Sequence, residues 1–433
     1  MKPNAESFNR AAPTDVDSTY AWARLMVALL IMTLGASGMY VVPVVLPAVQ
    51  ADFGVSRAAA SLPYTLVMIG FGLGGLLMGR LADRFGITFP LLIGALGLGL
   101  GFGSAAMAQD ITQFSLVHGL LIGLLGCSTT FAPLLADTTL WFARRRGIAV
   151  AICASGNYLG GALWPPIVQH FVETQGWRTA YLGMALVSAT SIALLALLMR
   201  RRPPTAAASA GPLDATSPLE KHSDQPFGLS PARSLVLLTI ASVSCCVAMS
   251  MPQVHIVAYC TDLGYGAARG AEMLSLMMAA GVASRLISGA ICDRIGGLRT
   301  LLLGSGLQGL ALLFFLPFDG MVSLYLIAAM FGLFQGGIVP SYAIIVRENF
   351  PARHTGSFVG LLIMGTMLGM ALGGWMSGKI FDLTGSYQAA FVNGLIWNLL
   401  NLSIAYYLLR RTMKSEGLAL TSRQRDKPGA LTI

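Results

Sequence analysis

The sequence predicts an all-α membrane protein of twelve transmembrane helices, arranged as two six-helix halves. Of 433 residues, 55% are hydrophobic and only 11% charged, too few charges to coat a water-soluble globule of this size. Apolar stretches of about twenty residues, the length that crosses a bilayer core, recur between Leu25 and Leu409 with short polar breaks. One longer polar stretch divides the series in the middle. The long runs of Leu, Ala, Gly and Met do not resemble the roughly ten-residue alternating strands of a membrane barrel.

The first 20 residues are polar, with no apolar stretch leading to a small-residue cleavage site. Residues 1–24 therefore read as a tail and 25–48 as a retained first helix. Spans at 58–79, 90–108, 112–135, 147–171 and 177–199 follow, giving an N-terminal half over 25–199. At Arg200 the composition changes to RRRPPTAAASAGPLDATSPLEKHSDQPFGLSP, rich in Pro, Ala, Ser and charge, which predicts a linker over 200–233. Spans at 234–259, 269–290, 300–317, 321–345, 356–378 and 387–409 build a C-terminal half over 234–410, and 411–433 is a second tail.

The net charge of +9 raises the possibility of a nucleic-acid partner, and the placement of the basic residues removes it. With the N-terminus inside, Arg80, Arg84, Arg144, Arg145, Arg146, Arg200, Arg201, Arg202, Arg294, Arg299, Arg347, Arg353 and the basic tail fall on one face. The other receives Arg57, Arg178, Arg269 and Lys379. This is the positive-inside pattern, and it predicts a multi-pass protein of the cytoplasmic (inner) membrane with both termini cytoplasmic. The six cysteines lie in or at the ends of spans without a C-x-x-C pair, so packing is expected of them rather than metal or disulfide chemistry.

The two halves carry a repeat. The loop after helix 2 reads GRLADRFG (79–86) and the loop after helix 8 reads SGAICDRIG (288–296). Aligned on Asp83 and Asp293, each places a small residue four positions before an Asp-Arg pair, then a hydrophobe and Gly. These loops resemble the signature of the major facilitator superfamily, over nearly the whole chain. The resemblance implies that fold and a conformational role for Gly79, Asp83, Arg84, Gly86, Asp293, Arg294 and Gly296. An Asp there can cap neighbouring helix N-termini and pair with Arg, in contacts that break when the halves rock. Glycine clusters at 70–75, 94–103 and 369–374 fit helices that approach closely in lipid.

Sorted against the predicted spans, one ionisable residue stands clearly inside the hydrocarbon: Arg285, in helix 8. It lies eight residues before Asp293, about 12 Å deeper at 1.5 Å per residue, too deep to snorkel easily. Burying a cation there costs at least ~2.5 kcal/mol, so it is expected to face a water-filled cavity. Its planar fork of donors matches a carboxylate.

A narrower resemblance follows from GVASRLISGAICD (281–293), which is similar to helix 8 of the monocarboxylate porter family, and from WFARRRGIAVAICASG (141–156), similar to that family's helix 5 opening. VHIVAYCTDLG (254–264) and FDLTGSYQAAF (381–391) resemble its bacterial members and the related oxalate/formate antiporters. The resemblance implies that Arg285 meets a substrate carboxylate. Animal members have an Asp one turn before this Arg and a Lys in helix 1, which together handle a proton; this chain has Gly281 and no such Lys. The antiporters add a second buried cation in helix 11, where this chain has only Lys379 at the outer end, so one carboxylate per substrate is expected.

Tyr40, Tyr64, Asn157, Tyr259, Gln335 and Tyr342 are further candidates to donate hydrogen bonds to substrate, with inter-helix bonding as the alternative. His255 is a candidate for proton coupling. Trp164, before Pro165 and Pro166, is a candidate pocket wall in a kinked helix 5. Asp137 is expected to pair with Arg144, Arg145 and Arg146 at the interface. The chain contains no G-x-x-x-x-G-K-[ST] loop and no clustered catalytic set, so the expectation is a gradient-driven transporter rather than an enzyme, without a cofactor. The expected partners are a small organic anion, protons and the bilayer. Exchange for another anion, export of drugs or metabolites on the same fold, and a membrane sensor remain open.

Overall fold

The computed structural model describes residues 15–203, 226–351 and 355–425. Much of the predicted linker, both outermost tails and Arg353 lie outside the described residues. Among the described residues, twelve helices are long and apolar enough to cross a membrane: α1 Thr19–Phe53, α2 Arg57–Phe85, α3 Thr88–Ala106, α4 Ile111–Trp141, α5 Arg146–Gln175, α6 Trp177–Leu198, α7 Pro231–Asp262, α8 Ala267–Ile295, α9 Gly297–Phe314, α10 Met321–Asn349, α11 Gly356–Thr384 and α12 Tyr387–Met413. Most run a few residues past the predicted spans, because polar residues at helix ends extend the helix without adding hydropathy. Side-chain caps start several of them: Ser18 Oγ accepts from Ala21 N at 3.2 Å, Ser56 Oγ from Ala59 N at 3.3 Å and Asp110 from Thr112 N at 2.8 Å. Pro165 and Pro166 lie within a helix that continues past them.

The surface is inverted relative to a soluble protein. Leu92, Leu96 and Leu100 form an exposed stripe on α3, while Ser188, Ser242, Ser244, Ser305, Gln308, Asn398 and Asn401 are buried. An exposed apolar belt around buried polar groups is what a lipid solvent selects.

The repeat seen in the loops is repeated in the backbone. Gly86 ends α2 at φ 83°, ψ 164° with its N–H on Ala82 O, and Gly296 ends α8 at the same φ and ψ with its N–H on Cys292 O. Both lie at positive φ, where a side chain is strained, which explains why each loop carries glycine there.

The halves meet through α2 against α11, α5 against α8, and the second part of α1 (Ser37–Phe53) against α7. With twelve crossings, both ends of the described chain lie on one side, here called the termini face; the opposite side is the far face. At the termini face, Ala132–Trp141 of α4 and Ile338–Asn349 of α10 pack chiefly within their own halves. Among the described residues, the hydrogen bonds between halves are Arg57 and Ala58 to α7, α11 and α12 at the far face, Thr65 Oγ1 to Ala371 O at 3.0 Å and Ser275 Oγ to Ala162 O nearer the middle, and Arg285 to Ala154 beyond the middle toward the termini face. The halves are clasped at the far face, and the bond between them that lies nearest the termini face is Arg285 to Ala154.

One expectation is corrected. Arg285 is not alone among charges inside the spans: Arg24, in α1, is 4% exposed and forms a two-pronged pair with Asp137 of α4, Nε to Oδ2 at 3.1 Å and Nη2 to Oδ1 at 3.1 Å. Its Nη1 donates to Met199 O at 3.1 Å, and its guanidinium lies over Trp141. Asp137 therefore pairs with Arg24 rather than with the arginines nearest in sequence, which lie beyond the end of α4. A predicted first span that began one residue after Arg24 concealed it.

Candidate functional site

Arg285 lies in the termini-side half of α8, partly buried, and is held from α5. Its Nη1 donates to Ala154 O at 3.0 Å, and its guanidinium carbon lies 4.5 Å from the centre of the Tyr158 ring. Its Nε is buried without a hydrogen-bond partner. Tyr40, from α1, lies within electrostatic reach of Tyr158 and Arg285 and donates through its hydroxyl to Asn157 Oδ1 at 3.1 Å. Tyr64, from α2, lies within reach of Tyr40. The structure thus brings three of the sequence candidates, Arg285, Tyr40 and Asn157, together beside Tyr158, which the sequence reading passed over, with Tyr64 next to Tyr40. An unpaired donor on a permanent cation, ringed by hydroxyls and an amide, can bind an oxyanion.

The other candidates have partners elsewhere. Trp164 Nε1 donates to Thr33 O at 2.9 Å and ties α5 to α1. Gln335 is fully buried and accepts from Gln253 Nε2 at 2.8 Å, while its own Nε2 is unpaired. Tyr342 donates to Asn401 Oδ1 at 3.0 Å, binding α10 to α12. Tyr259 packs edge-on against Tyr387 and Phe391.

His255 belongs to a second constellation at the far face, centred on Arg57. Arg57 is 7% exposed, its Nη2 is 3.1 Å from Asp262 Oδ1 of α7, and its guanidinium lies over Phe381 of α11. The backbone N–H groups of Arg57 and Ala58 donate to the two Asp382 oxygens at 2.8 and 2.9 Å. Arg57 Nη1 donates to the Tyr387 hydroxyl at 2.9 Å, and that hydroxyl lies 3.1 Å from His255 Nδ1. His255 Nε2 lies 2.8 Å from Gly374 O. A carbonyl only accepts, so Nε2 carries the hydrogen and Nδ1 of the neutral ring accepts from Tyr387. The chain of donation runs one way, from Arg57 through Tyr387 and His255 to Gly374.

The repeated loops lie at the other face. Asp83 and Asp293 make no hydrogen bond or ion pair among the described residues, and both are exposed. Arg84 lies over the Phe85 ring, and a Cβ at Gly79 would meet open space. Glu348, rather than Asp293, receives the first N–H of α9, with Gly297 N at 3.1 Å from Oε2. Arg294 lies in the last turn of α8, and Gly296 caps that helix just before α9. Among the described residues no group of three or more His, Cys, Asp or Glu is placed to hold a metal ion.

Sequence reading missed Tyr158, Arg57, Asp262, Asp382 and Tyr387. Arg57 entered only as an outer-face charge. The signal available for Asp262, Asp382 and Tyr387 was their presence in the segments 254–264 and 381–391, which resemble a known family.

Comparison with known proteins places this geometry. The model of the Major Facilitator Superfamily matches residues 27–330 and 273–430. Monocarboxylate transporter 13 of Rattus norvegicus is 30% identical over 61% of this chain and 60% of its own length. The match thus spans about three fifths of that relative. The MFS transporter asaE of Aspergillus flavus is 23% identical over 76% of this chain and 72% of its own. Among solved structures, the nucleoside transporter NupG superposes with a TM-score of 0.68 at 15% identity, covering 91% of this chain and 100% of that one. A bacterial homologue of the human lysosomal transporter Spinster, in an inward-facing and unoccupied conformation, gives 0.63 at 16% identity, covering 92% of this chain and 96% of that one. With the repeated Asp-Arg loops, the twelve helices and a model match that runs through both halves, the chain belongs to the Major Facilitator Superfamily.

Proposed function

We propose that the chain is a secondary active transporter that carries a small organic anion, in the first instance a monocarboxylate, across the cytoplasmic membrane by alternating access. The observation that carries this reading is Arg285: a permanent cation within α8 with a buried, unpaired Nε and the hydroxyl-bearing Tyr40 and Tyr158 of the opposite half beside it. Leaving a guanidinium donor unpaired is costly unless a ligand takes it up, and a carboxylate is the ligand whose geometry fits. The likeness to a monocarboxylate transporter supports the same substrate class.

In this reading the rigid units are the halves over 25–199 and 234–410, joined by the linker 200–233, with both termini cytoplasmic. The described state then opens to the cytoplasm and is shut outside by Arg57. Gly79, Asp83, Arg84, Gly86, Asp293, Arg294 and Gly296 serve the opposite state, in which the termini face closes and the two aspartates gain partners on neighbouring helix ends. Uptake with a proton is the first coupling proposed. Exchange for another anion is the second, and it is favoured by the groups gathered at Arg285: Tyr40, Tyr64, Asn157 and Tyr158 include no carboxylate to carry a proton.

The test is uptake of labelled lactate, pyruvate and other small monocarboxylates into liposomes, with and without an inward proton gradient, beside Arg285→Ala and Arg285→Lys. Uptake abolished in the first and cut about tenfold or more in the second is expected, since Lys keeps the charge and loses the fork. Stimulation by the gradient selects symport; stimulation by internal anion selects exchange. No uptake of any acid, or full activity in Arg285→Ala, overturns the reading.

A further inference from the structure

Arg285 and the groups that orient it come from different halves. On α5, Ala154 O takes Nη1 and the Tyr158 ring lies against the guanidinium. Tyr158 is 6% exposed, and its seat is made on α8 by a missing side chain. A Cβ on Gly281, one turn before Arg285, would lie 2.5 Å from both Tyr158 Cδ1 and Cε1, closer than carbon atoms approach. Ring and glycine are therefore a matched pair, and the ring occupies the space that any side chain at 281 would need.

A guanidinium presents two forks, an end-on pair of Nη1 and Nη2 and a side-on pair of Nε and Nη2. The Ala154 carbonyl occupies the first through Nη1, and the ring covers one face. Nε is buried and unpaired, so the side-on fork is what remains for a ligand.

We propose that Tyr158, seated over Gly281, is a positioning residue that holds Arg285 with its Nε–Nη2 edge toward the substrate, so that the site selects a ligand presenting one planar carboxylate in the plane of that edge. The proposal rests on the carboxylate-transport reading above. A bare arginine stem populates several rotamers, and apparent affinity falls by the fraction that is competent. The cation–π contact restricts it to one. Orientation governs binding and leaves the rocking of the halves alone, so the effect belongs in KM and not in the maximal rate.

The experiment measures the concentration dependence of uptake, for an acid that the wild type carries, in Tyr158→Phe, Tyr158→Leu, Gly281→Ala and the Tyr158→Leu/Gly281→Ala pair, each checked for a monodisperse, wild-type-like melting profile. Tyr158→Met replaces Tyr158→Leu should the latter not fold. Tyr158→Phe, which keeps the ring and loses the hydroxyl, is expected to raise KM less than Tyr158→Leu, which should raise it about tenfold with the maximal rate within about twofold. Gly281→Ala should raise KM by displacing the ring and add nothing once the ring is gone. An unchanged KM in Tyr158→Leu, equal damage in Tyr158→Phe, or an equal effect of Gly281→Ala in both backgrounds overturns the positioning role alone. A wild type that carries no carboxylate overturns the functional reading and this proposal together.

Discussion

The carboxylate of Asp382, at the end of α11, caps the N-terminus of α2 in the opposite half by accepting the Arg57 N–H at 2.8 Å. The first turn of a helix exposes unsatisfied N–H groups and the positive end of its dipole, so an acid from the other half is a favourable clasp there. The Arg57 side chain adds Asp262 and Phe381 to the same joint. Arg57→Ala leaves the cap and removes the rest, with Asp262 only partly shielded from water. A shift of about 1–3 kcal/mol toward the state open at the far face is expected, about five- to 150-fold in population. Spin labels at the exposed positions Gln109 and Asp319, on far-face loops of the two halves, should report it as a longer distance component. An unchanged distance distribution would remove Arg57 from any gating role.

The donation chain behind Arg57 makes a separate prediction for Tyr387→Phe. The hydroxyl is both the acceptor for Arg57 Nη1 and the donor to His255 Nδ1, so its loss leaves two buried polar groups unpaired at once. A cost of about 1–3 kcal/mol is expected, expressed as faster labelling of a Ser377→Cys reporter, buried on α11 next to Gly378, where that helix touches the start of α2. His255→Gln should cost less, because an amide can still donate to Gly374 O. The labelling rates rank the variants, and Tyr387→Phe labelling no faster than wild type would show that the hydroxyl carries no part of the closure.

How far these sites were legible follows from what lipid makes visible. Twelve spans stand out because each must supply about twenty apolar residues, and Arg285 stands out because a charge inside such a run is rare. Arg57, Asp262 and Asp382 occupy helix ends, where charges are ordinary, and their partners lie 205 and 325 residues apart in sequence. No local pattern links them. Tyr158 was hidden for another reason: its role arises from a ring packed where Gly281 has no side chain, a relation between α5 and α8 that neither helix shows alone. Asp137 was matched to its sequence neighbours, whereas its partner Arg24 is 113 residues away.

That buried pair predicts an asymmetry. Arg24 and Asp137 have side chains only 3% and 8% exposed, so removing one partner strands a charge where water does not reach it. Arg24→Leu or Asp137→Leu alone is expected to cost about 3–5 kcal/mol, because the remaining ion has lost its counter-charge. Replacing both should recover much of that loss, since a well-packed apolar pair avoids desolvation altogether. Thermal unfolding in detergent measures the cycle. Single-variant losses that simply add in the double variant would mean that the two side chains stabilise the N-terminal half independently.

Close approach of α8 and α10 predicts the effect of a single methyl. A Cβ on Gly332 would fall on the Met277 carbonyl, and backbone cannot swing aside as a side-chain tip can. Gly332→Ala should therefore force the two helices apart and lower the melting temperature, at a cost of about 1–3 kcal/mol typical of overpacking. Gly183→Ala is the matched control, because a Cβ there meets nothing within 4 Å, and alanine is the better helix former by about 1 kcal/mol. The pair separates contact from propensity: the first variant is expected to melt below wild type and the second at or above it. Equal melting temperatures for the two variants would mean that α8 and α10 have room to spare.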